Sequence, residues 1–301
     1  MEFLKYGKIR LIGHEENETL LIDPEDEIVI QEKMDGANGR FCISDGTLIF
    51  GSRNNILIDS DNGGSASVWL RFIRHIRAAF DGKDLNVVIG DRSLIFYGEV
   101  MHKHSISYEW DRTPVFLGYD IFDIATGKYL NYPEVVDIYN GLGIETVPLR
   151  GVYKVKDLPK LDETIIPPSK YYNGLAEGVV IKNYSKQVFG KLVREKFKEV
   201  NKEAFGKPAK FAADDTEKIL CKYCTNARID KNIFKLVDDG KRLGMELMID
   251  LPKRVWEDIV VEEGVEILNT RGVIDLTQLR KDISKRCAEV LKTTIVNSAL
   301  A

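Results

Sequence analysis

The chain has 301 residues, 44% of them hydrophobic and 30% charged, which is enough apolar material for two packed domains and excludes a disordered chain. Its net charge of −4 argues against a uniformly basic nucleic-acid binder, but from Lys182 to Lys210 nine Lys or Arg stand against three Glu. Such a patch suits a phosphate backbone, and equally a solvated helix face. The start of the chain shows no signal-peptide segment, no run approaches the ~20 apolar residues of a membrane span, and four cysteines suggest free thiols. The expectation is a cytoplasmic protein and a monomer.

The first two-thirds reads as strands. Runs at Glu27–Gln31, Gly39–Ile43, Thr47–Phe50, Ser93–Phe96-Tyr97, Val115–Phe122 and Gly178–Lys182 are rich in aromatic and β-branched residues and bounded by Gly, Asn and Asp. Phe41 to Phe50, centred on Asp45-Gly46, predicts a hairpin. Two helices interrupt: Ser67–Phe80, with Val68, Phe72, Ile76 and Ala79 on one face, and Pro133–Tyr139, with Pro in its first turn. Antiparallel strands with scattered helices make an α+β domain. Polar residues 201–215 read as a linker. Helical periods follow at Thr216–Ala227, Lys231–Arg242, Pro252–Glu262 and Leu276–Val296, so 216–301 is expected to be a small all-α C-terminal domain.

The segment that carries chemistry is Glu32-Lys33-Met34-Asp35-Gly36-Ala37-Asn38. A lysine at a strand end before an Asp-Gly turn can point into a cleft, with Gly36 allowing the close turn. A nucleophilic lysine needs a depressed pKa, supplied by nearby cations and partial desolvation. Taken alone, the pattern equally fits a surface lysine beside an ordinary turn. Carboxylates at Glu99 and Glu177 and cations at Lys182 and Lys191 add what phosphoryl transfer requires: oxygen ligands for a hard cation and positive charge for phosphate.

In order, Lys33-x-Asp35-Gly36, Ser52-Arg53, Tyr97-Gly98-Glu99, Tyr119-Asp120-Ile121, Glu177–Lys182 and Lys191 resemble motifs I, Ia, III, IIIa, IV and V of the covalent nucleotidyltransferase superfamily of DNA ligases, RNA ligases and mRNA capping enzymes. The helical C-terminal third, in place of the five-stranded OB-fold usual in DNA ligases and capping enzymes, points to RNA ligases. Cys221–Arg228 followed by Asn232–Leu236, together with Asn38, is similar to the phage-type RNA ligase 2 family. The resemblance implies a nucleotidyltransferase (adenylation) domain over 1–200 and an ATP-dependent RNA ligase. Lys33 would attack the α-phosphate of ATP, AMP would pass to an RNA 5′-phosphate, and a 3′-OH would seal the strand, nicked duplexes included. It further implies nucleotide contacts from Glu32, Arg53, Glu99, Tyr119, Lys182 and Lys191, with Glu99 at the ribose and Tyr119 stacked on adenine. Glu177 would hold Mg²⁺ or Mn²⁺, with Asp35 contributing through water, and Asn38 and Arg194 would contact RNA. The two neighbouring lysines and the metal would lower the Lys33 pKa.

Two features depart from regularity. Glu177 and Lys182 differ by an odd number, which places Glu177 in the turn before the strand. Val193 occupies the second lysine position of motif V, and Arg194 is the nearest cation. Cys221-x-x-Cys224 lacks the further ligands of a zinc site and reads as two core residues; His75 and its arginines read as a solvated face. His102-Lys103-His104 and Asp59–Ser65 read as loops. Competing readings are a minimal DNA ligase, a GTP-using guanylyltransferase and a non-catalytic nucleic-acid-binding module.

Overall fold

The β-type runs of the first two-thirds pair into two sheets. The structure is a computed structural model describing residues 3–44, 47–57, 68–84, 88–102, 106, 108–194, 215–269 and 274–299. The predicted linker up to residue 214, Lys103-His104, Asp59–Ser65 and the Asp45-Gly46 turn lie outside these residues, as does the basic stretch beyond Arg194. The chain divides into two compact units, Met1–Arg194 and Glu195–Ala301.

In the first unit, strands β1 (Arg10–Leu11), β2 (Glu27–Lys33), β9 (Leu149–Lys154), β10 (Gly178–Asn183) and β11 (Val188–Val193) form a sheet in the order β1-β11-β10-β2-β9. The second sheet runs β5-β4-β3-β6-β7-β8, from β3 (Ala37–Ser44), β4 (Thr47–Ser52), β5 (Ile56–Leu57), β6 (Leu94–Val100), β7 (Phe116–Asp123) and β8 (Lys128–Tyr129). Every pairing is antiparallel except β1 with β11. The predicted hairpin forms, with Phe41 opposite Phe50. Neither β9 nor β11 is among the runs read as strands. Both are held by tertiary pairing.

Helices α1 (Val68–Phe80) and α2 (Tyr132–Leu142) cover one face of the second sheet. Phe72 and Ile76 of α1 and Val135 and Tyr139 of α2 pack there with Phe41, Phe96 and Phe116. Asn131 caps α2 by accepting from the Glu134 amide, and Gly143 closes it in the left-handed conformation. Arg71, Arg74 and Arg77 lie on the exposed side of α1. The opposite face of the second sheet meets the first sheet through Tyr6, Tyr97, Tyr119, Tyr129 and Phe189.

The second unit is helical among its described residues: α3 (Asp215–Tyr223), α4 (Asn226–Asp238), α5 (Leu251–Leu268) and α6 (Leu276–Ala299). The helix expected over Thr216–Ala227 breaks at Cys224-Thr225 because the Thr225 hydroxyl accepts from the Arg228 amide and starts a new helix. Cys224 and Cys287 are buried, whereas Cys221 is exposed, so the two residues of Cys221-x-x-Cys224 do not share a core face. Arg228 is fully buried, its guanidinium donating to Asp258 at 2.8 Å and Glu263 at 2.9 Å. No helix among the described residues is long and apolar enough to cross a membrane.

Burial pushes the Asp258 carboxyl up, but Lys231, Lys235 and Arg228 outweigh it and hold it down at about 2. A depressed carboxyl stabilises the fold fully above its unfolded pKa and loses that contribution as pH falls through about 2. Asp258→Asn should therefore cost the helical unit about 2 kcal/mol at neutral pH. Hydrogen exchange of α4 and α5 amides in the full chain measures this, and the penalty should shrink with acidification.

Candidate active site

The two residues on either side of the site's central ion pair come from adjacent strands. β2 ends at Lys33, and β10 begins at Gly178 directly opposite it. Glu177 therefore lies just before the strand, as the odd spacing predicted, and its Oε2 accepts from Lys33 Nζ at 2.6 Å. Gly178 is required by close approach: a Cβ there would meet Leu192 O at 2.1 Å. Gly36 serves a similar purpose, since a Cβ would meet Val100 O at 2.6 Å and Glu99 Cγ at 2.9 Å. Neither glycine has a positive φ, so both are needed for space and not for left-handed backbone.

Around this pair gather the other acids. Glu99, on β6, accepts from the Gly36 amide at 3.1 Å. Asp35 is buried, its Oδ2 accepting from the Ile106 amide at 2.7 Å while its own amide donates to the Tyr108 hydroxyl at 2.8 Å. Sequence reading did not identify Tyr108, since nothing local marks a tyrosine that folds back on the Asp-Gly turn.

The protein's own groups raise the Lys33 pKa, whereas the expected depression counted a metal ion as well as two lysines. Burial lowers it, but the charges of Glu177, Glu99 and Asp35 outweigh burial and leave it raised. Neither partner lysine offsets them. Lys182 is buried elsewhere in the cleft, and Lys191 is felt by Glu177 as a charge that lowers its carboxyl against a larger upward push from burial.

Other candidates fall into two groups. Tyr119 is half-buried on β7, its hydroxyl hydrogen-bonded to the Asn38 amide, and Arg53 is exposed just after β4 with its charge acting on Tyr119. All three belong to the second sheet or its immediate edge. Glu32, Lys182 and Arg194 each bond to other groups of the protein. Glu32 alternates to the face opposite Lys33, where it accepts from Arg150 and from Ser169 Oγ at 2.5 Å. Lys182 Nζ donates to Asp120 Oδ2 at 2.7 Å and to Tyr119 O at 3.2 Å, and lies 5.2 Å from the Tyr119 ring centroid. Arg194 donates to Leu175 O at 2.6 Å and to the Tyr172 hydroxyl at 3.2 Å, pointing away from the position Val193 leaves without a lysine. Asp120, which also accepts from Tyr6 at 2.5 Å and Tyr184 at 2.6 Å, is the residue that sequence reading quoted in a motif but gave no role.

Among the described residues no group of three or more His, Cys, Asp or Glu is arranged to hold a metal ion. Glu177, Glu99 and Asp35 nevertheless set three carboxylates against the single ammonium of Lys33. Hard oxygen donors with surplus negative charge fit a Mg²⁺-type ion that keeps water and phosphate oxygens as its remaining ligands.

A family model described as RNA ligase matches residues 26–200. No curated protein matches. Among solved structures, a mutant Naegleria gruberi RNA ligase with ATP and Mn is similar, at 17% identity and a TM-score of 0.52, over 64% of this chain and 57% of that one. A second mutant of that ligase with ATP and Mn gives 18% and 0.51 over 65% and 57%, and an apo mutant 18% and 0.51 over 65% and 56%. At these identities the likeness is one of fold, and this chain spans less than two thirds of those chains.

Burial raises the Glu99 carboxyl to about 7; Lys33 pulls it back, and Glu177 and Asp35 push it further up. A carboxyl raised in the folded state stabilises the fold fully below its unfolded pKa and loses that contribution as pH rises through about 7. With divalent ions chelated, Glu99→Gln should match the parent in stability near pH 4 and exceed it by roughly 2–3 kcal/mol at pH 8. Urea unfolding across that range gives the answer; a difference independent of pH contradicts the assignment.

Proposed function

Because the chain belongs to the RNA ligase family, we propose that it is an ATP-dependent ligase that joins RNA 3′-OH and 5′-phosphate ends, nicks in duplexes included, in RNA repair. The observation that carries this reading is the pairing of Lys33 with Glu177 at 2.6 Å inside a ring of further carboxylates.

In the first step the Lys33 amine attacks the α-phosphorus of ATP. An N–P bond forms, the amine gives up a proton to solvent, the bond to the bridging oxygen breaks, and pyrophosphate leaves with that oxygen. Glu177 orients the amine through its 2.6 Å hydrogen bond, and Glu99, fixed by the Gly36 amide, faces the ribose. Tyr119 gives the base a flat wall. Lys191, whose charge reaches Glu177, is the inner-face cation placed to meet a phosphate oxygen. In the second step an RNA 5′-phosphate oxygen attacks the same phosphorus, freeing Lys33 and forming a 5′-5′ pyrophosphate. In the third, an RNA 3′-OH attacks the RNA phosphate and AMP leaves. Glu177, with Asp35 through water, would hold Mg²⁺ or Mn²⁺, which supplies charge neutralisation and Lewis-acid polarisation at the phosphates.

Protein incubated with α-labelled ATP and Mg²⁺ should carry label that survives denaturation, and Lys33→Ala should carry none. Glu177→Ala, which leaves the amine unoriented, should slow labelling about 100-fold or more. Because the free-amine fraction grows about tenfold per pH unit below the lysine pKa, labelling should accelerate toward alkaline pH. Equal labelling of Lys33→Ala would sink the covalent step. Preferential sealing of nicked DNA over every RNA 3′-OH strand would remove the RNA assignment.

A further inference from the structure

Gln31 stands two residues before Lys33 on β2, so its side chain leaves the strand on the same face. That face is turned to the second sheet, because Lys182 projects from it on the neighbouring β10 and reaches Asp120 and Tyr119 of β7. Register places Gln31, Val180 and Lys191 side by side across three strands about 4.8 Å apart. Lys182, diagonal to Gln31 on β10, lies 5.2 Å from the ring of Tyr119. Gln31 thus shares one face of the sheet with Lys33 and with Lys182, the residue that lies against the Tyr119 ring.

Its side chain is anomalous for that position. Gln31 is 1% exposed, and neither Oε1 nor Nε2 has a hydrogen-bond partner among the described residues. A carboxamide buried this way is costly, whereas an apolar side chain of equal volume would pack without the cost. Asn38 Oδ1, beside the Tyr119 hydroxyl, is likewise buried without a partner. Asn38 is thus half satisfied, through its Nδ2, while both polar atoms of Gln31 are left without a partner among the described residues.

A carboxamide offers one acceptor and one donor side by side. The edge of adenine offers the complement, an amino donor next to a ring-nitrogen acceptor, and glutamine pairs with it in bidentate fashion. We infer that Gln31 is the base-reading residue of the nucleotide site, its Oε1 accepting from the adenine amino group and its Nε2 donating to the adjoining ring nitrogen. This inference rests on the nucleotide-binding reading of the Lys33 site and names the residue that selects the base.

Binding is measured by titration calorimetry in the Lys33→Ala chain, which cannot form the covalent bond, so failure of label transfer leaves this test intact. The probes are ATP, GTP and purine riboside triphosphate, which lacks the amino group. With Gln31 present, ATP should bind about tenfold more tightly than purine riboside triphosphate. Gln31→Met, matched in length, should weaken ATP about tenfold and bring the two nucleotides within about twofold. Its nucleotide-free melting temperature should equal or exceed the parent's, because an orphaned amide has been removed. Gln31→Leu repeats the test should Met fail to fold. Unchanged discrimination in the variants overturns the inference. So does an equal loss of both nucleotides accompanied by a lowered melting temperature, which would make the amide structural. Tighter binding of GTP than ATP, or no nucleotide binding at all, overturns it as well.

Discussion

The register of β2 against β10 is the constraint on which the site depends. Lys33 pairs with Gly178, and the residue before Gly178 is Glu177, so ordinary antiparallel pairing delivers a carboxylate to the lysine amine. A slip of β2 by one residue would turn Lys33 and Gln31 to the outer face and bring Glu32 and Ile30 inward, with Lys182 of β10 left in place. That slip is opposed by burial of Ile28, Ile30, Val179 and Ile181 in one apolar layer on the outer side. The catalytic geometry is thus secured by an apolar pattern on the other side of the sheet.

The two sheets are joined inside the cleft by a polar knot. Asp120 accepts from Lys182 of the first sheet and from the hydroxyls of Tyr6 and Tyr184. Burial lowers the Lys182 pKa in spite of this partner, so the pair marks a group whose charge is sustained by Asp120. Removing one partner of such a pair leaves a buried charge uncompensated, which is far more costly than losing a surface ion pair. The same knot lies against the backbone and ring of Tyr119, so it also determines where the aromatic wall stands. The helical unit uses a similar device: buried Arg228 is shared between Asp258 and Glu263, with Lys231 and Lys235 adding to the Asp258 carboxylate.

Much of this was legible in the residues. Phe41 to Phe50 announced its hairpin because alternation and turn chemistry are local, and α1 announced itself through Val68, Phe72 and Ile76. The odd spacing of Glu177 and Lys182 was enough to place Glu177 outside the strand. The break at Thr225 was missed because the helical period runs through it and a capping hydroxyl is visible only when its acceptor role is filled. β9 was missed because its edge position asks little of its side chains, and its extra residue, Arg150, appears only as a register shift beside Ile30 and Gln31.

The sequence by itself determined which residue types are present for phosphoryl transfer, their order, and the strand parity that sends Lys33 and Glu32 to opposite faces, because these depend on spacing along one strand. Tertiary structure decided which charges meet. It set Lys33 among carboxylates that raise its pKa, where neighbouring lysines and a metal were expected to lower it, buried Lys182 on Asp120, turned Arg194 toward Tyr172, and left the amide of Gln31 without a partner among the described residues. The reason is physical: electrostatic and hydrogen-bonding partners are chosen by distance in space, and residues 144 positions apart, as Lys33 and Glu177 are, carry no local sign of their meeting.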